Sequence, residues 1–148
     1  MPKRFLVAVV TIPLLIAVTT PASSLPATTS GPCQLSRRSS ESVHHFMRRR
    51  TSCAVERFGP VGGGAARAIC IARRESGLDP TAKSATGDYL GLYQHSAKLW
   101  PDRYERWTQR RWDLSKRALS GRSNSIVTIR MVHAIGGWKK AGWPIKRC

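Results

Sequence analysis

Carboxylates are scarce in this chain. Eight Asp and Glu stand against 25 Lys and Arg in 148 residues, a formal net charge of +17. Chemistry that needs an acid therefore has few residues to draw on. Aromatic residues are also few, with five Trp, three Tyr and three Phe, and in a small domain most Trp are needed as core filling. Metal-binding patterns are missing. The four cysteines, Cys33, Cys53, Cys70 and Cys148, include no Cys-x-x-Cys pair. His44 and His45 are adjacent, so on a helix they point about 100° apart. No metal or other cofactor is expected. There is no Gly-x-Ser-x-Gly elbow for a serine nucleophile. No internal repeat and no convincing alternating strand run occurs, which leaves a mainly α fold with little or no sheet.

Long apolar runs are missing too. The most apolar stretch, Phe5 to Val18, has 14 residues, short of the roughly 20 that a membrane-spanning helix requires. It follows Lys3-Arg4 and precedes a small-residue segment, Thr19 to Ala27. That order is the pattern of a secretory signal peptide over residues 1–27, cleaved after Ala22, Ser24 or Ala27. An uncleaved anchor is the alternative, and Pro13 argues against it. Residues 28–38 read as a linker pinned at Cys33, and 39–148 as one small helical domain. The mature chain would have about 121 to 126 residues, enough for a modest core that gains from covalent support. Four cysteines in an exported chain favour two disulfides, with three pairings possible. Cys70–Cys148 is preferred because it would tie down the last residue, leaving Cys33–Cys53.

Without Lys3 and Arg4, 23 basic and 8 acidic residues remain, a net +15. Such a field attracts anionic polymers, of nucleic acid, cell wall or membrane surface, or simply keeps a secreted protein soluble. The Arg48-Arg49-Arg50 run has no interleaved aromatics to stack on bases and reads as a solvated helix face, so no specific nucleic acid is expected.

Glu41 to Phe58 reads as a helix capped by Ser40, with Val43, Phe46, Met47 and Ala54 on its apolar side and Glu41 and Glu56 outside; Gly59-Pro60 stops it. Ala65 to Ser76 reads as a buried helix, apolar nearly all round until Arg73. Ser96 to Trp100 suggests one helical turn ended by Pro101. Pro101 to Arg122 shows no clear period. Ser125 to Ile135 reads as a helix capped by Asn124 or Ser123 and ended by Gly136-Gly137.

Glu75 is the leading functional candidate. On a helix, Ala68, Ile71 and Ala72 lie under it on one face. It occupies the last turn, at the negative end of the helix dipole, with Gly77 just past the end. Apolar surroundings and the dipole both raise a carboxyl pKa, as a general acid near neutrality requires. The bland alternative is a solvent-facing residue paired with Arg73 or Arg74.

Glu75-Ser76-Gly77-Leu78-Asp79-Pro80, then Ala82, Ser84, Gly87 and Gly91-Leu92-Tyr93-Gln94, resembles the soluble lytic transglycosylase and goose-type lysozyme group. The Gly136-Gly137-Trp138 to Trp143 tail looks like the ending of its short secreted members. About a quarter of the chain is covered. The resemblance implies a lysozyme-like fold and an enzyme, a lytic transglycosylase or muramidase, cleaving the bond between N-acetylmuramic acid and N-acetylglucosamine in peptidoglycan. It implies Glu75 as acid/base, Ser84 as a hydrogen-bonding serine near it, Gln94 at the substrate groove and Gly91 bringing backbone close to the sugar. The group's Ala-x-Tyr-Asn-Ala-Gly block is missing, since Ala134-Ile135-Gly136-Gly137 has neither tyrosine nor asparagine; Tyr89 or Tyr93 would have to stand in. One extra residue separates Gly87 from Gly91. Asp88 is the best second carboxylate, with a plain turn as its alternative. Trp138 and Trp143 are candidate sugar platforms. The expected partners are peptidoglycan strands and anionic wall polymers, and the expected state is a monomer. The rival reading is a non-catalytic cationic wall or membrane binder.

Overall fold

The computed structural model describes residues 31–148. The expected signal peptide, its cleavage site and the start of the linker lie outside the described residues. What is described is a small, mainly helical domain.

Helix α1 (Val43–Phe58) starts where Ser42, not Ser40, accepts a hydrogen bond from the His45 amide. It turns Phe46, Met47, Thr51 and Ala54 inward, while Val43 stays exposed. Helix α2 (Gly64–Ser76) buries Ala68, Ile71 and Ala72, the face expected beneath Glu75. It ends at Gly77, whose φ of 68° is left-handed and whose amide caps the Ala72 and Arg73 carbonyls. Only a residue tolerant of that conformation can close the helix so.

A loop then leads to a minimal antiparallel pair, β1 (Tyr89–Leu90) and β2 (His95–Ser96). The turn expected at Ser96–Trp100 is instead a strand residue and a lead-in to α3 (Trp100–Trp107). Pro101 opens this helix rather than ending one, because a first-turn residue needs no amide donor. A single 3₁₀ turn, Arg110–Trp112, follows. Helix α4 (Gly121–Ile135) starts four residues before the expected point, capped by Ser120, whose side chain accepts from the Ser123 amide. Asn124 and Ser123 are inside it and buried. Gly136 ends it, as expected.

Helix α4 is the centre of the fold. It packs on α1 and α3, and α1 packs on α2. Ile126, Val127, Ile129 and Val132 are fully buried. Two disulfides, Cys33–Cys53 and Cys70–Cys148, are formed, matching the preferred pairing and compatible with an extracellular protein. The first fastens the segment before α1 to that helix. The second fastens the tail to α2. None of the described helices is long and apolar enough to cross a membrane.

The arginine run is less solvated than its composition suggests. Only Arg48 is exposed. Arg49 pairs with Glu41 at 2.9 Å. Arg50 lies over the Phe46 ring, 4.3 Å from its centroid, and donates to the Leu35 carbonyl.

Candidate active site

The end of α2, the β1–β2 loop, the start of α3 and the tail surround a cleft of about 530 Å³. Glu75, Tyr89 and Gln94 line it, as do Leu99, Arg103, Trp143 and Pro144. Three of the expected site residues thus meet, together with Trp143.

Glu75 is half-buried and has no ion-pair or hydrogen-bond partner among the described residues. Burial raises its pKa above the usual carboxylate range, and the nearby Arg74 charge only partly opposes this. Arg74 is committed elsewhere: its Nη1 donates to the Pro144 and Lys146 carbonyls, at 3.1 and 2.6 Å. The ion-paired alternative for Glu75 is therefore not what forms. Glu75 is also the lone carboxylate lining the cleft among the described residues.

Gln94 is held beside it by its own loop. Its φ is 49°, unusual for a residue with a side chain. Its Nε2 donates to the Gly91 and Ala82 carbonyls at 2.9 and 3.3 Å, which leaves the Oε1 acceptor for a ligand. Ser76, next to Glu75, donates through Oγ to the Leu92 carbonyl at 2.8 Å. That bond fixes the helix end against the loop carrying Gln94.

The other expected site residues do structural work. Gly91 does not line the cleft. It is buried, with φ 77°, and a Cβ there would collide with the Ala118 carbonyl and lie 2.5 Å from Asn124 Nδ2. Tyr93 is fully buried, and its hydroxyl donates to the Ala68 carbonyl at 3.1 Å; burial pushes its pKa well up. It cannot stand in for a site tyrosine. Trp138 is 2% exposed, stacks on Tyr93 and donates to the Gly62 carbonyl, so it is core and no sugar platform. Trp143 is also buried, donating to the Tyr93 carbonyl at 2.9 Å, but one edge reaches the cleft. Ser84 does not line the cleft; its hydroxyl accepts from the Tyr89 amide at 3.0 Å and holds the loop closed. Asp88 is exposed, and the cleft is lined without it. Its backbone carbonyl accepts from the Ala97 amide, one rung beyond the Tyr89–Ser96 pair of β1 and β2. Tyr89, 52% exposed, is the tyrosine that faces the cleft.

Sequence reading missed Arg103, Leu99 and Ser96, which also line the cleft. They lie in or beside the stretch without a clear period, and no local signal marks them. Chemically, the cleft offers one carboxyl with a raised pKa, one amide acceptor, one guanidinium and an exposed aromatic ring. No protein-family model, curated protein or solved structure matches this chain.

Proposed function

We propose that this protein cleaves the glycan strands of peptidoglycan between N-acetylmuramic acid and N-acetylglucosamine, on a lysozyme-like scaffold, with Glu75 as general acid/base. The observation that carries the reading is the state of Glu75: a half-buried carboxyl with raised pKa, unpaired among the described residues, on the wall of an open cleft. A leaving glycosidic oxygen needs a proton, and a carboxyl in such a setting keeps its proton to higher pH than an exposed one does. Gln94 and Tyr89 beside it supply an acceptor and an apolar ring face for the sugar.

The absence of a second lining carboxylate among the described residues favours the lytic transglycosylase form over a muramidase. Glu75 protonates the glycosidic oxygen as the C–O bond breaks. The muramoyl unit's own hydroxyl then closes on the anomeric carbon and returns its proton to Glu75. The product is an anhydro sugar, one water lighter than the reducing end left by hydrolysis.

The test is digestion of purified peptidoglycan by the secreted chain and by Glu75→Gln, with products weighed by mass spectrometry. Wild type should release anhydro-ended fragments. Glu75→Gln should lose about 10²–10⁴-fold in rate, the usual contribution of a positioned acid, while still binding walls. Undiminished cleavage by Glu75→Gln would remove Glu75 from the chemistry, and wild type that binds walls without cleaving them would leave the cationic wall binder.

A further inference from the structure

The Glu75 cleft continues past Arg103. A second groove of about 360 Å³ shares Leu99, Arg103 and Ala141 with it. Charge is distributed unevenly between the two. The first part is lined by Glu75 and Arg103 as its charged groups; the second carries Arg103, Arg106 and Lys140 against a single acid, Asp102. Exposed apolar side chains run through both, with Tyr89 in the first, Leu99 in each and Ile135 in the second.

Arg103 is positioned in an uncommon way. Its Nη1 donates to Nδ1 of His95 at 3.0 Å. An arginine can only donate, so Nδ1 is the acceptor and the imidazole proton sits on Nε2. That N–H donates to Thr128 Oγ1 at 2.7 Å, and Thr128 in turn donates to the Asn124 carbonyl on α4, also at 2.7 Å. His95 is fully buried, edge-on to the Trp100 and Trp143 rings. Burial first, and the Arg103 charge second, pull its pKa down to about 3, so it stays neutral at any physiological pH. A carboxylate partner would fix the guanidinium and cancel its charge. A neutral imidazole fixes it and leaves the charge, with four N–H groups, for something else. No carboxylate lies within ion-pairing distance of Arg103 among the described residues.

We propose that Arg103 anchors a carboxylate-recognition subsite, extended by Arg106 and Lys140, that takes the acidic substituent of a glycan bound across Glu75. This rests on the glycan reading of the cleft. Because the basic groove is continuous with the Glu75 cleft, the anion must ride on the strand that spans the cleft. Every muramoyl unit of such a strand carries a carboxyl-bearing substituent, so that substituent is the source.

The test is binding by the secreted chain carrying Glu75→Gln, so that nothing is cleaved. Its affinity is measured at fixed ionic strength for soluble glycan fragments, either native or with their carboxylates converted to neutral amides. Native fragments should bind about tenfold tighter, the scale of one charge-assisted contact. Arg103→Gln should abolish that difference and leave the amidated affinity unchanged; Arg103→Lys, which keeps the charge and most of the packing, should retain part of it. Arg106→Gln with Lys140→Gln, both exposed and so safe for folding, should cut the preference about threefold. Equal affinity for the two fragments overturns the subsite. An equal loss on both fragments in Arg103→Gln overturns it as well, as does tighter binding of a phosphate-bearing wall polymer than of native glycan. The enzyme reading fails separately. A chain that prefers native fragments yet leaves peptidoglycan uncleaved before Glu75 is changed keeps the subsite and loses the activity.

Discussion

Two glutamates sit near opposite ends of neighbouring helices and are driven in opposite directions. Glu41 precedes α1, at the positive end of that helix's dipole; Glu75 sits in the last turn of α2, at the negative end. Burial raises both. At Glu41 it is overridden by hydrogen bonds from Arg49, the Arg38 amide and His45, which bring the pKa down to about 2. At Glu75 nothing overrides it. The first carboxylate has every acceptor satisfied and holds the start of α1. The second has no partner among the described residues, and such a group is free to hand a proton to something else. Partnership, more than burial, separates the two acids here.

The largest effect should come from replacing Glu75. Glu75→Gln is expected to lose glycan cleavage by orders of magnitude with a melting temperature at or above that of wild type, since a partnerless half-buried carboxyl adds nothing to the fold. Its pH profile sharpens the contrast. A general acid works protonated, so in wild type cleavage should fall as pH rises through the raised Glu75 pKa. That alkaline limb should stand above the ordinary carboxylate range. A limb at or below that range would place Glu75 in the same class as Glu41.

Next in size is the tail disulfide, which keeps the two acids different. Cys70–Cys148 holds the segment whose Pro144 and Lys146 carbonyls occupy Arg74. Replacing both cysteines by serine opens a loop of 78 residues, worth about 4 kcal/mol by loop entropy, and should lower Tm by about 10–20 °C. It should also free Arg74 to approach Glu75. An added cation favours the carboxylate, so the alkaline limb of cleavage should move to lower pH. A limb that stays in place while Tm falls would show that Arg74 does not need its tail partners to stay away.

These two acids also show what sequence can carry. Glu75 was legible because its surroundings are local: a helical period puts Ala68, Ile71 and Ala72 beneath it, and Gly77 closes the helix two residues on. Glu41, expected on the outer face of its helix, is buried. Its environment depends on Arg49 eight residues away and on a helix that starts at Val43 instead of Glu41 itself. Arg103 was invisible for the same reason. Its position comes from His95 and Thr128, on a strand and a helix that only the folded chain brings together. Gly91, Tyr93 and Trp138 failed differently. They belong to a pattern that mixes residues facing a ligand with residues packing the loop that presents them. Spacing does not distinguish the two kinds; burial does.

Smaller again is the effect of losing Glu41. Its folded pKa of about 2 lies below its ordinary value of 4.5, so the fold favours the ionised form. That contribution is fully present above the ordinary carboxylate pKa and is lost as pH falls through about 2. Glu41→Gln should therefore melt lower than wild type at neutral pH, with the two curves converging as the solution is acidified, and cleavage at 25 °C should be unchanged. A gap that persists undiminished at pH 2 would assign the loss to packing and remove the charge from the account.

The smallest effect belongs to a third acid, and it tests the comparison from outside. Asp88 was the best second carboxylate on sequence grounds, beside the stretch that carries Gln94. In the fold it is exposed and does not line the cleft, and it bonds through its backbone, the carbonyl accepting from the Ala97 amide and the amide donating to Thr86 Oγ1. By the rule drawn from Glu41 and Glu75, an acid that is neither held nor desolvated has no special role. Asp88→Asn should leave cleavage within about twofold and stability within about 0.5 kcal/mol, as for an ordinary surface change. The product should also stay the same, because a water-activating base on the opposite sugar face is what separates hydrolysis from ring closure. Mass analysis of the Asp88→Asn digest reads this directly. If wild type yields mixed ends and the variant only anhydro ends, Asp88 reaches the substrate as a base, and partnership in the free protein is too narrow a criterion for reactivity.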